Sequence, residues 1–412
     1  MRLSHLTCIV AASFVLMPQP APAETTTMTT WQADEPGFGQ WWREAIEAYN
    51  KSHPDKTIAM QQIQYKDYVN QLTVRFASNR PPQILTLPTD GFGTFADQGW
   101  LTSLDQRVEG TEIATNWSPL QAEMTWDGKI QGVLLMGYGF MLYYNDRLLK
   151  DAGIEVPTSF TEFLQAVPKL TSREKGVFGL AAVTTEHPTA TLDFVRFIEW
   201  QGAKLIKDGK YNLTDPAVVK AIENYRTTVG GNAPLGNNST IARQLFVDGK
   251  AAFLIDGPWM YARIEETKPE IRAVLKMVKA PFSPTLGGAS NSIHIPAALS
   301  EKEKEDAWAF IRFIAQPEWQ LKYTMITSAP AGMKGAVTPE VAAAKPQLKT
   351  INDAVIGAEP IIPNVKAIRA NSNEFFAITQ RAALRVLSTK DPVSTILKET
   401  QAELERAIPL ND

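Results

Sequence analysis

Strand-like and helix-like runs alternate through the first hundred residues, and that alternation limits the fold more than any other feature. ETTTMTT (24–30) reads as a flexible lead into a strand ending near Trp31, and a polar, glycine-rich loop, WQADEPGFGQ, follows. Trp42, Ala45, Ile46 and Tyr49 then recur at i, i+3, i+4 and i+7, the spacing of one helical face. Thr57 to Ile63 reads as a second strand. Tyr65, Tyr68, Val69, Leu72 and Phe76 mark a second helix, closed by Asn79-Arg80-Pro81, and Ile84 to Leu87 reads as a third strand before a loop at Pro88-Thr89-Asp90-Gly91. Strand-helix-strand-helix-strand implies a parallel sheet with helices on its faces, hence an α/β fold. Ligands of such sheets gather beyond the carboxyl ends of the strands. The loops carrying Glu35 and Asp90 are expected there.

A second stretch, TWDGKIQGVLLMGYGFMLYYN (125–145), gives that sheet a neighbour. Asp127-Gly128 is a turn pair, and Lys129 to Met136 reads as a strand. Gly137-Tyr138-Gly139 interrupts it without charge, and Phe140 to Tyr144 resumes with strand-favouring aromatics. Two glycines around one aromatic suit a chain that bends while crossing between two lobes. The stretch also reads as a core hairpin with a glycine bulge. Downstream, helix-like and strand-like runs continue to alternate, and Asp256-Gly257-Pro258-Trp259 directly follows an apolar strand, Ala251 to Ile255.

With 412 residues the chain can build two or three cores, and a net charge of −3 argues against a basic nucleic-acid binder. Arg2, an apolar run from Leu6 to Met17 and PQPAPA form a secretory signal, with Ala21 and Ala23 as the small-x-small cleavage pattern. Cleavage after Ala23 leaves an exported protein beginning at Glu24. Cys8, the sole cysteine, lies inside that signal, so the mature chain must rely on a large core without disulfides.

Enzymatic signatures are sparse. Gly91-x-Gly93-x-x-Ala96 fits a dinucleotide fingerprint, but Gly99 breaks the helix it would open and no acid-ended strand follows. A tight turn is the better account. His53, His187 and His294 are too scattered for metal-ligand spacing, so no metal or cofactor is expected. Glu35 and Asp90 could act as the carboxylate pair of a glycosidase. The aromatics carry more information. Trp31, Phe38, Tyr138 and Trp259 lie at strand ends or loops, where flat rings suit the apolar faces of a sugar and carboxylates its hydroxyls. GGASNS (287–292), read as a loop, adds Gly288, Ser290 and Asn291 as hydrogen-bonding candidates.

The order of these signals resembles the family 1 extracellular solute-binding proteins of ABC importers, the group that includes maltose-binding and glycerol-phosphate-binding proteins. The matching stretches are Trp31 with its acidic loop, PPQILTLPTDGFGTFADQGWLTSLD (81–105), DGKIQGVLLMGYGFMLYYNDRLLKDAGIEVPTSFTEF (127–163), GKAAFLIDGPW (249–259), LGGASNSIHIP (286–296) and EKEDAWAFIRFIAQPEWQ (303–320). The resemblance implies a two-lobe periplasmic-binding-protein fold with hinge strands. One lobe would hold 24–137 and 286–336, the other 138–285 and 337–412. It further implies a monomer that closes over a sugar or oligosaccharide and docks on a membrane permease, without covalent chemistry. Carried over by position, Glu35 and Asp90 are ligand-binding acids, Tyr138 marks the crossing and Trp259 is the stacking tryptophan. Phe376 and Gln380 fall near a C-terminal cleft helix. Phenylalanine in place of tryptophan at 376 and Gly91 beside the acid depart from the sugar binders and leave the sugar's size open. Binders of glycerol phosphate or of polyamines remain alternatives; an anion would need cationic side chains, of which the matched loops offer few.

Overall fold

The structure, a computed structural model, describes residues 24–410 without the side chain of Asp90; the expected signal segment lies outside them. Ten strands build two sheets. In chain order they are β1 (Glu24–Thr30), β2 (Lys56–Gln62), β3 (Ile84–Pro88), β4 (Val133–Gly139), β5 (Met141–Asn145), β6 (Phe178–Ala181), β7 (Ala251–Asp256), β8 (Leu275–Lys279), β9 (Leu286–His294) and β10 (Glu359–Pro360). The first sheet runs β10-β9-β3-β1-β2, with β4 also paired to β9. The second runs β8-β5-β7-β6. Strand β1 is parallel to β2 and β3, as the opening alternation requires, whereas β9 lies antiparallel to both β3 and β4. The lead 24–30 is itself strand: it pairs along its whole length, from Glu24 with Lys56 to Thr30 with Gln62.

Among the helices packed on these sheets are α1 (Phe38–Ser52), α2 (Tyr65–Ala77), α3 (Thr89–Asp97), α4 (Pro188–Glu199), α5 (Ser239–Val247), α6 (Trp259–Glu265) and α7 (Ser372–Ser388). Helix α1 buries Trp41, Trp42, Ala45, Ile46 and Tyr49, and joins Met28, Leu85, Phe310 and Ile314 in the core of the first lobe. The second lobe has apolar material on both faces of its sheet. One face carries Phe160, Phe163, Phe197, Phe253 and Phe282; the other carries Tyr143, Phe246, Met260, Leu348 and Ile351. Each such side chain contributes about 1.5–3 kcal/mol on burial, so two separate cores can stand without disulfides.

The crossing falls at Phe140. Strand β4 belongs to the first sheet and β5 to the second, with one residue between them. Gly139 is required there because a Cβ would lie 2.0 Å from the carbonyl oxygen of Ala354. Two departures from the sequence reading concern loops. GGASNS is not a loop but the middle of β9: it is held between β3 and β4, and its glycines let the strand approach Tyr138 and Gly139 closely. Helix α3 starts at Thr89, where a loop was expected, because Pro88 is extended and the chain turns at once into the helix. The pair Glu359–Pro360 joins the first sheet beside β9, inside a stretch expected on the second lobe.

Candidate functional site

A cleft of about 490 Å³ opens between the two sheets, lined from both sides. Strand β1 delivers its wall directly. It ends at Thr30, and Trp31, Asp34 and Glu35 follow into the cleft. The Trp31 ring packs on Tyr65 and, edge-on, on Tyr68 of α2, with centroids 5.8 and 5.0 Å away. Phe38 opens α1 beneath them and is almost fully buried against Tyr323. From β9, Ser290 reaches the cleft along with the backbone of Gly287 and Ala289.

The opposite wall is built around Trp259, half-buried at the start of α6 and packed against the cores of both lobes. Gly257 is what lets the indole fold back, since a Cβ there would lie 2.2 Å from the ring. The indole Nε1 donates to Asp256 Oδ1 at 2.7 Å, and the Gly257 N–H donates to the same oxygen at 2.8 Å. Arg243 of α5 completes the anchor, with Nε 2.7 Å from Asp256 Oδ2 and Nη2 3.3 Å from Oδ1. Tyr138 lies 5.3 Å from Trp259, centroid to centroid. The crossing therefore aims one aromatic at the platform that the following strand end supplies.

Charges meet across the cleft. Glu35, from the first lobe, lies 3.3 Å from Arg263 Nη2 and 3.9 Å from Arg243 Nη1, both from the second lobe. Burial works against the Arg243 charge, but Asp256 and Glu35 more than offset it and raise its pKa. Arg196 of α4 is buried, pairs with Asp193, and lies 4.3 Å over the Phe140 ring; burial pushes its pKa down to about 10. Burial raises the Glu123 carboxyl, although the Ala289 N–H donates to it at 3.1 Å. His187 caps α4 by accepting from the Thr189 N–H, and its Nε2 lies 3.1 Å from the Ser239 hydroxyl. Burial pushes that imidazole down to about 4, so it is neutral above that pH.

Of the residues named from sequence, Glu35, Tyr138, Trp259, Trp31, Phe38 and Ser290 line this cleft. Asp90 falls in the first turn of α3, and its side chain lies outside the described residues. Gly288 sits in β9 with φ +104° and backs the cleft: a Cβ there would meet the Glu123 carboxylate at 3.2 Å. Asn291 is fully buried within β9, away from the lining. Phe376 and Gln380 sit in α7, turned into the packing of the second lobe, where the Phe376 carbonyl faces Thr191. Sequence reading missed Glu123, His187, Arg196, Arg243, Arg263 and Arg369. The expectation of few cationic side chains fails for the same reason: these arginines come from helices, not from the matched loops. Only Arg196 left a signal, as the single basic residue within the largely apolar stretch LDFVRFIEW (192–200). Among the described residues no cluster of three or more His, Cys, Asp or Glu could hold a metal ion, and no helix is long and apolar enough to cross a membrane.

Comparison with known proteins decides the family. The family model described as bacterial extracellular solute-binding protein matches residues 32–321. The chain belongs to that family. A putative binding protein of Brucella abortus is 24% identical over 303 residues, 69% of this chain and 71% of that one. The galactooligosaccharide-binding protein of Bacillus subtilis is 26% identical over 242 residues, 56% and 55% of the two chains. Among solved structures, an ABC transporter solute-binding protein from Thermotoga lettingae bound with α-D-tagatose superposes with a TM-score of 0.82 at 19% identity, covering 94% of this chain and 99% of that one. As a member of the extracellular solute-binding family, the chain is an exported binding protein with the two-lobe fold.

Proposed function

We propose that this solute-binding protein captures a neutral sugar or short oligosaccharide in the cleft and delivers it to an ABC permease in the membrane. The observation that carries the reading is a charge-balanced cleft with aromatic walls. Among the described lining residues, Asp34, Glu35, Glu123 and Asp256 face Lys66, Arg196, Arg243, Arg263 and Arg369. Asp193 lies behind the lining rather than in it, but it pairs with Arg196 and so offsets the fifth cation. A free phosphate or a polyamine would meet no net opposite charge there, whereas a polyol would find donors and acceptors of both kinds. Trp31 and Tyr65 on one wall, and Tyr138 and Trp259 on the other, offer ring faces that lose little entropy on ordering. The relative named for galactooligosaccharide binding and the tagatose-bound structure support the same class.

In this reading the protein works in the periplasm as a monomer, cut after Ala23, and closes by a hinge at Phe140 and at the other links between the lobes. The lobes are 24–137 with 286–336, and 138–285 with 337–412 apart from β10. Ligand contacts come from Trp259, Tyr138, Trp31, Ser290 and Glu123, and no bond is made or broken. Glu35 and Asp90 do not serve as a hydrolytic pair, since two guanidinium groups hold the Glu35 carboxylate.

The test is thermal unfolding of the mature protein against mono- and oligosaccharides, glycerol phosphates and polyamines. A ligand at a hundredfold excess over its Kd stabilises by about 2.7 kcal/mol. The reading expects a rise with one sugar class that is lost in Trp259→Ala, with the sugar recovered unchanged. A rise only with phosphates or amines overturns the sugar assignment, and conversion of the sugar overturns binding without chemistry.

A further inference from the structure

The seven-residue helix α6 makes two of the polar contacts that tie the second lobe to the first. Arg263 reaches Glu35 of the first lobe at 3.3 Å, with Arg243 behind it at 3.9 Å. Glu265, two residues on, accepts from the hydroxyl of Ser328 at 2.8 Å and pairs with Lys345 at 3.1 Å. Ser328 ends the helix Pro317–Thr327, which belongs to the first lobe, and Lys345 also donates to its hydroxyl at 2.6 Å. The same helix begins with Trp259, the aromatic platform of the cleft.

We propose that α6 is a clasp between the lobes, with Glu35 as its positioning residue, and that the clasp biases the ligand-free protein toward closure. The contacts run in sequence: Arg263 to Glu35, Glu35 to Arg243, Arg243 to Asp256, and Asp256 to the Trp259 indole. Separating the lobes takes both guanidinium groups from Glu35 while Arg243 keeps Asp256. These side chains are only 14–25% exposed, so the contacts are screened less than surface pairs. A bias that belongs to the closed state alone shifts the equilibrium without a ligand. It also explains why a carboxylate at the end of β1, in the position expected of a ligand acid, is already occupied by the opposite lobe.

The clasp rests on the two-lobe reading and not on the sugar, and its test is arranged accordingly. The radius of gyration of the ligand-free mature protein is measured by small-angle X-ray scattering for wild type, Glu35→Gln, Arg263→Gln and the double variant. The expected result is a larger radius in each single variant, with no further increase in the double, because both remove the same contact. With the sugar found by thermal shift, the release rate should rise on the order of tenfold in each single variant, as for a desolvated charge pair cut at one end. Should Glu35→Gln fail to fold, Arg263→Gln cuts the same pair from the side of α6. An unchanged radius in a folded single variant overturns the clasp, as does an additive double variant. If no sugar binds, the scattering alone still decides the clasp, and only the sugar reading falls.

Discussion

His294 should make the protein lose stability below neutral pH, and the size of the effect follows from its surroundings. The imidazole is fully buried in β9, between the Gln131 carbonyl at 2.7 Å from Nδ1 and the Ser292 hydroxyl at 2.6 Å from Nε2. Phe92 stacks on it with centroids 5.4 Å apart. A neutral ring satisfies both partners, donating to the carbonyl and accepting from the hydroxyl. Burial pushes its pKa from 6.5 down to about 4. Between those values the unfolded chain binds a proton that the folded chain refuses, so stability rises with pH and falls as pH drops from 6.5 toward 4. The whole shift corresponds to about 3 kcal/mol, and near pH 5.5 the slope is about 1.2 kcal/mol per pH unit. Urea unfolding at half-unit steps from pH 5 to 7.5, for wild type and His294→Gln, isolates this group, since glutamine keeps one donor and one acceptor. The variant is expected to lose that much of the slope below pH 6.5 and to run parallel to wild type above it. Identical slopes below pH 6.5 would refute the claim that His294 is held neutral by burial.

Other perturbations act nearer the cleft. Arg243→Met should cost about 3–5 kcal/mol, because it leaves the Asp256 carboxylate buried with only N–H partners; chemical denaturation measures it, and indole emission should report the released Trp259. Glu123→Gln should raise the unfolding midpoint at pH 7.5 but not at pH 4. Burial raises this carboxyl, so its ionised form costs stability that appears as pH rises above the ordinary carboxylate range. The same variant should weaken sugar binding about 10- to 100-fold, the worth of a hydrogen bond to a charged group, as measured by calorimetry. Gly139→Ala should destabilise at the upper end of the about 1–3 kcal/mol typical of overpacking, or more, because its Cβ meets the Ala354 carbonyl; a midpoint unchanged from wild type would remove the close approach at the crossing.

What could be read in the chain, and what could not, divides by the range of the forces involved. Periodicity is local, so α1, α2 and the three parallel strands stood in the sequence, and the GYG crossing was legible because glycine signals a backbone need. GGASNS misled because a strand buried between two neighbours needs no side-chain pattern of its own; its pairing partners, β3 and β4, supply the reason, and they are distant in sequence. The cleft residues divide the same way. Trp31, Glu35 and Trp259 stand just past strand ends, where position alone points to a site. Arg196, Arg243 and Arg263 stand inside helices, where a charge usually means a solvated face, and only tertiary packing turns them inward. That difference has a functional consequence. The acids visible from sequence imply a cleft rich in negative charge, suited to a polyamine; the hidden arginines cancel it. The neutrality on which the sugar reading depends is thus a property of the folded chain, assembled from two lobes, and α6 is where both lobes contribute to it at once: its Arg263 neutralises Glu35 across the cleft while its Trp259 supplies the ring face.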